Sequence, residues 1–253
     1  MDDTSPSLAI EGRVATITLR RPKVANRLSP ADLIALRDHV AAVNAMPDLL
    51  VLCFAAEGKY FCSGYDIGSL GGKPDEGAAS FGDVIDAIEA ARPVTIAAIQ
   101  GGVYGGATDL CLACDFRIGV PGCDMFMPAA RLGLHFYRGG MERYVSRLGL
   151  NAAKRLFLTA DRIEADEMLR IGFLTEMVTA DALAARVAAL STQLAGMAPI
   201  ALVGMKRHLN DIACGRLDAD ALQRDIHRSE TSEDLREGAA AWKEKRTPAF
   251  RGR

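Results

Sequence analysis

Two glycine turns, each set at the end of an apolar run, limit what this chain can fold into. The first is Phe61-Cys62-Ser63-Gly64-Tyr65-Asp66, which follows a strand-like stretch over 49–55. The second is Gly101-Gly102-Val103-Tyr104-Gly105-Gly106-Ala107-Thr108-Asp109, which follows 94–99 and opens onto an apolar helical pattern. Glycine lets a backbone turn sharply and approach its neighbours closely. Two such turns can each offer an N–H to one point, where they would stabilise an oxygen that gains negative charge. The second turn would do so from a helix N-terminus, whose dipole adds positive potential.

The rest of the first half supports a layered α/β core. Residues 8–10 and 14–19 around Gly12 predict a hairpin. Ser29-Pro30-Ala31-Asp32 predicts a helix start, with Ser29 as N-cap and Pro30 in the first turn. That helix runs to about residue 46, with Leu33, Leu36, Val40 and Val43 on one stripe. Residues 68–79 are glycine-rich and polar, a mobile segment or a weak helix. A helix over 83–91 and a strand over 116–120 complete the βαβ pattern. After Gly139 strands nearly vanish, and successive helices are predicted out to about residue 242.

The 253 residues suit one large domain or a domain with an appended lobe, and 49% hydrophobic residues provide an ample core. A formal charge of −2 argues against a globally basic nucleic-acid binder. No apolar run approaches a membrane span, and the polar start Met1-Asp2-Asp3-Thr4-Ser5-Pro6 does not read as a signal peptide. Cys53, Cys62, Cys111, Cys114 and Cys123 sit in or beside apolar runs and read as small buried hydrophobes, which implies a reduced, cytoplasmic protein. Cys111-x-x-Cys114 has no second pair at zinc spacing, so no metal is expected. Cys62-Ser63-Gly64 lacks the preceding glycine of a nucleophile elbow.

Five segments, in order, carry a family resemblance. They are Arg21-Pro22-Lys23-Val24-Ala25-Asn26-Arg27-Leu28-Ser29, the two glycine turns, Ala113-Cys114-Asp115-Phe116-Arg117, and the tail from Glu237-Gly238 through Trp242-Lys243-Glu244-Lys245-Arg246 to Phe250-Arg251-Gly252-Arg253. Together they resemble the crotonase superfamily of enoyl-CoA hydratases and isomerases over essentially the whole chain. The resemblance implies an α/β fold: a crotonase-like ββα spiral core over 1–195 and a C-terminal helical lobe over 196–253, for oligomerisation and active-site closure. It further implies acyl-CoA chemistry in a homo-oligomer, a trimer or dimer of trimers, with coenzyme A entering as part of the substrate and no separate cofactor. No nucleic-acid or membrane partner is expected.

By motif position the oxyanion donors are the N–H groups of Tyr65 and Gly106. Lys23, Val24, Ser63, Asp66 and Ile67 fall at substrate-binding positions. So do Trp242 and Lys245, which in the family often come from a neighbouring subunit. The segment 68–82 is expected to line the acyl pocket. Arg20, Arg21, Lys23 and Arg27 cluster where they could meet phosphate. Hydratases similar to this chain hold two glutamates around a water. The first position is Asp109, three residues beyond Gly106, and it is expected to transfer protons. The second is Ala129, in Pro128-Ala129-Ala130-Arg131, and alanine moves no proton. His135 and Tyr137 are further catalytic candidates a few residues on. Isomerisation, decarboxylation or another single-base reaction is therefore favoured over efficient hydration, with a non-catalytic acyl-CoA binder as the alternative.

Overall fold

Alternating burial along the second strand puts Ala15, Ile17 and Leu19 inward and their neighbours toward the surface. This strand, β2 (Val14–Leu19), pairs antiparallel with β1 (Ser7–Glu11) in a computed structural model that describes residues 4–66, 68 and 80–253. Helix α1 (Pro30–Asn44) starts as expected. Ser29 accepts from Asp32 N–H, and Asp32 returns the bond to Ser29 N–H, a closed capping box. Its buried stripe is Leu33, Leu36, Val40 and Val43.

Strand β3 (Val51–Ala56) is buried over its first four residues, as suits a parallel strand covered on both faces. It is followed by α2 (Phe81–Glu89), β4 (Val94–Ile99), β5 (Val103–Tyr104), α3 (Gly106–Ala113), β6 (Phe116–Gly119) and β7 (Asp124–Phe126). Then come α4 (Arg138–Leu148), α5 (Leu150–Thr159), β8 (Ile163–Glu164), α6 (Ala165–Arg170) and β9 (Glu176–Met177). The main sheet runs β1-β2-β3-β4-β6-β9, parallel from β2 onward. A smaller sheet runs β5-β7-β8. Its strands are two or three residues long, too short to show any alternation in sequence. The segment 69–79 lies outside the described residues.

Helices α7 (Leu183–Ala195), α8 (Pro199–Ala213), α9 (Ala219–Glu230) and α10 (Glu233–Glu244) finish the chain. α8 is tied to the sheet by the buried Lys206, whose Nζ donates to Pro93 O at 2.6 Å and lies 2.8 Å from Asp115 Oδ2. The tail returns to the start of the fold. Arg13, in the β1–β2 turn, donates to the carbonyls of Ala195 (3.2 Å) and Phe250 (3.1 Å). Among the described residues, no single helix is long and apolar enough to cross a membrane.

Candidate active site

The two glycine turns are stitched together by backbone hydrogen bonds. Phe61 N–H donates to Gly102 O at 3.1 Å, and Tyr104 N–H to Cys62 O at 3.0 Å. On the other side of the first turn, Leu28 N–H donates to Gly64 O and Asp66 N–H to Leu28 O, a parallel bridge centred on Tyr65. That geometry turns the Tyr65 N–H away from Leu28. Gly64 has φ +92°, and a Cβ there would lie 2.7 Å from Tyr104 O and 3.1 Å from Gly106 N. Only glycine allows so close an approach. Gly106 is the first residue of α3, so its N–H has no partner within the helix. Among the described residues, neither Tyr65 N–H nor Gly106 N–H is hydrogen-bonded.

A cavity of about 220 Å³ opens at this junction. Of the expected site residues, Ser63, Tyr65, Gly106, His135 and Tyr137 border it, and so does Ala129. Phe81 also borders it, and so does Phe136, which was not foreseen. Phe81 belongs to the segment 68–82 expected to line the acyl pocket, of which 69–79 lies outside the described residues. Phe136 sits between the polar residues His135 and Tyr137, which drew attention away from it. His135 is exposed, with Nδ1 2.8 Å from Phe136 O.

Asp109 is placed differently from the expectation. Its side chain is fully buried, and it does not border the cavity. It turns instead toward α4, where Arg143 donates from Nε to Oδ1 (2.9 Å) and from Nη2 to Oδ2 (2.8 Å). The Tyr137 hydroxyl also donates to Asp109 Oδ2 and accepts from Arg143 Nη2 at 3.2 Å. Arg143 is itself fully buried and reaches Asp86 (2.7 Å) and Glu89 (3.1 Å). Burial alone would favour a neutral guanidine, but the hydrogen bonds and charge of Asp109, with Tyr137 and Asp86, reverse this and hold Arg143 charged. Burial, and then the Asp109 carboxylate, push the Tyr137 phenol well above its ordinary value, so it stays protonated. Arg143 was missed because a charged residue in a helix ordinarily reads as a solvated face.

The expected CoA-contacting turn is a short 3₁₀ helix, Pro22–Val24, with Lys23 and Val24 exposed. Asn26 anchors it. Its side chain accepts from Arg21 N–H (2.8 Å) and donates to the carbonyls of Glu57 (2.8 Å) and Tyr60 (2.9 Å). Ser63 N–H donates to Ala25 O, which joins this turn to the first glycine loop. The nearby arginines have partners within the fold. Arg21 pairs with Asp32 at 2.7 Å, Arg27 with Asp66 at 3.5 Å, and Arg20 donates to Ser5 O. Ile67 lies outside the described residues. Trp242 is 87% exposed on α10, and Lys245 closes that helix in a left-handed conformation. Neither borders this cavity. The Cys62 thiol donates to Asn26 O and is pushed up to about 12 by burial, so it is no nucleophile at neutral pH. Among the described residues, no three His, Cys, Asp or Glu side chains cluster as metal ligands.

This fold, with two glycine turns meeting over a cavity, defines the crotonase class. The chain belongs to the enoyl-CoA hydratase/isomerase family, whose model matches residues 9–253. It is 31% identical to a crotonyl-CoA hydratase of Syntrophomonas wolfei, with 95% of each chain covered. It is also 31% identical to a carnitinyl-CoA dehydratase of Proteus mirabilis, covering 97% of this chain and 98% of the relative. Among solved structures it is similar to an enoyl-CoA hydratase from Bacillus anthracis, with a TM-score of 0.90 and 28% identity over 98% of this chain and 100% of that one.

Proposed function

We propose that this chain forms and reprotonates a thioester enolate in the cavity where its glycine turns meet. The observation that carries the reading is the pair of N–H groups, Tyr65 and Gly106, on adjoining loops and without a hydrogen-bond partner among the described residues. A thioester oxygen that accepts from both gains charge as the neighbouring carbon loses its proton. Donors already in place stabilise that charge without reorganising.

Tyr137 is the residue assigned to proton transfer, with Asp109 behind it. The substrate proton passes to the phenol oxygen as the phenol proton passes to Asp109 Oδ2. Reversal of both transfers onto a different carbon completes an isomerisation, with no proton gained or lost. Arg143 acts as a positioning residue, since it holds both the carboxylate and the phenol. Hydration would need a second group to activate water, and Ala129 offers none. This supports isomerisation or related single-relay chemistry over hydration.

Lys23 and Val24, exposed on their 3₁₀ turn, would contact the coenzyme A portion of the substrate, and the reaction would need no separate cofactor. Trp242 and Lys245 would reach the site of a neighbouring subunit in a trimer or dimer of trimers assembled through the helices of 196–253. The test is a panel of acyl-CoA thioesters incubated in D2O, with deuterium uptake read by mass spectrometry and isomers separated by chromatography. Tyr137→Phe should slow exchange by about 10²–10⁴-fold. Exchange indifferent to that change would overturn the assignment. Binding without any exchange would leave the protein as an acyl-CoA binder.

A further inference from the structure

We infer that the acyl group taken by this site is neutral, flat and conjugated, an aryl-substituted enoyl group, and that Phe81 selects it. The inference rests on the acyl-thioester reading above and adds the class of acyl group.

Aromatic residues make up 6% of the chain, yet Tyr65, Phe81, Phe136 and Tyr137 all border one cavity. Their rings follow one another around it. Tyr65 and Phe81 have centroids 5.9 Å apart and tilted by 49°, Phe81 and Tyr137 meet edge to face at 6.1 Å, and Tyr137 and Phe136 lie 4.7 Å apart. Phe81 sits directly against the backbone of Gly106, where an added Cβ would lie 2.6 Å from its Cζ. An acyl chain whose carbonyl meets the Gly106 N–H therefore starts beside the Phe81 ring. A flat π-system there gains offset or edge contacts that a puckered ring or alkyl chain does not.

Charge narrows the class further. Among the described residues, no Lys, Arg, Asp or Glu borders the cavity, and the remaining wall includes Met127, Ala129, Leu132 and Leu134. Among the described residues, a carboxylated acyl group would meet only the exposed His135 ring and the tyrosine hydroxyls there, and no Lys or Arg. A cationic one would find no counter-ion on the wall, and the Tyr137 ring already has the Arg143 guanidinium 5.9 Å from its centroid. Size agrees as well. A cavity of about 150 Å³ can hold benzene, so about 220 Å³ leaves room for a phenyl ring and a short unsaturated link.

The test is calorimetric binding of two thioesters with equal carbon counts, cinnamoyl-CoA and 3-cyclohexylacryloyl-CoA, alongside succinyl-CoA and a trimethylammonium-bearing acyl-CoA. Cinnamoyl-CoA should bind about 3–10-fold more tightly than its cyclohexyl counterpart. Phe81→Leu should erase that difference. Phe81 is only partly buried, and an unchanged melting temperature would show that the variant folds. Equal binding of the flat and puckered rings, or a preference that survives Phe81→Leu, would overturn the inference. So would tighter binding of either charged thioester. If no thioester binds at all, the underlying acyl-CoA reading falls with it; if all bind without preference, only this inference does.

Discussion

Arg143 grips Asp109 through two hydrogen bonds, at 2.9 and 2.8 Å, with both side chains fully withdrawn from solvent. Such a pair is expensive to break from one side, because the remaining charge stays buried. Asp86 and Glu89 share the same guanidinium, so it is not left wholly bare. Asp109→Asn should therefore cost about 3 kcal/mol, near the low end for a broken buried pair. Urea unfolding of the variant reads it directly. A change under about 1 kcal/mol would mean that the pair is not the support described.

Gly64 and Gly106 should respond differently to alanine. At Gly64 the φ of +92° and the 2.7 Å approach to a backbone carbonyl both oppose a side chain. Gly64→Ala should cost about 1–3 kcal/mol and abolish turnover. At Gly106 the obstacle is the Phe81 ring, which can swing aside. Gly106→Ala should unfold at nearly the wild-type urea concentration while losing activity.

Alkaline pH should weaken the fold before any tyrosine of ordinary pKa ionises. Burial pushes Cys62 and Cys114 up to about 12 and Cys123 to about 11, against a usual thiol value of 9.0. Unfolded thiols lose protons above pH 9 while the folded ones keep theirs, so the folded state binds more protons there. The stabilisation is complete below about pH 9 and is lost as pH rises toward 11–12, by up to about 1.4 kcal/mol per pH unit for each thiol. Unfolding midpoints at about pH 7, 9 and 10.5 in reducing buffer check the slope. A flat profile would contradict it.

Hydration should be slow in the natural chain and improvable. Ala129 is 4% exposed at the cavity wall, where a glutamate could reach a bound water. Ala129→Glu should raise hydration of a short enoyl-CoA by about tenfold or more. The loss of enoyl-thioester absorbance follows the reaction. Rapid hydration by the unaltered chain would count against the proton relay.

Trp242 offers a spectroscopic check on assembly, since it is the one tryptophan in the chain and is 87% exposed in the single subunit. In a closed homo-oligomer it should be covered, with blue-shifted emission that moves to the red on dilution. Light scattering should give a trimer or its dimer. A monomer at micromolar concentration would remove any contribution from Trp242 or Lys245 across subunits.

The features legible in sequence are the ones that local chemistry dictates. The glycine turns, the Ser29 N-cap and the stripe of α1 needed only neighbouring residues. What sequence concealed depends on distant partners. Asp109 looked like a free carboxylate because Arg143 lies 34 residues away on another helix. Arg21 and Arg27 looked available to phosphate because nothing local announced their pairing with Asp32 and Asp66.

The clasp of Arg13 onto the carbonyls of Ala195 and Phe250 spans 182 and 237 residues. A ribosome delivers the β1–β2 hairpin long before the groups that secure its turn. During translation that hairpin must wait with its turn unsecured, and contacts of such long range are slow to close. The risk of misassembly is thus concentrated in the newly made chain. Removing the segment around Phe250 would prolong that exposure even though it lies far in sequence from the residues that border the cavity.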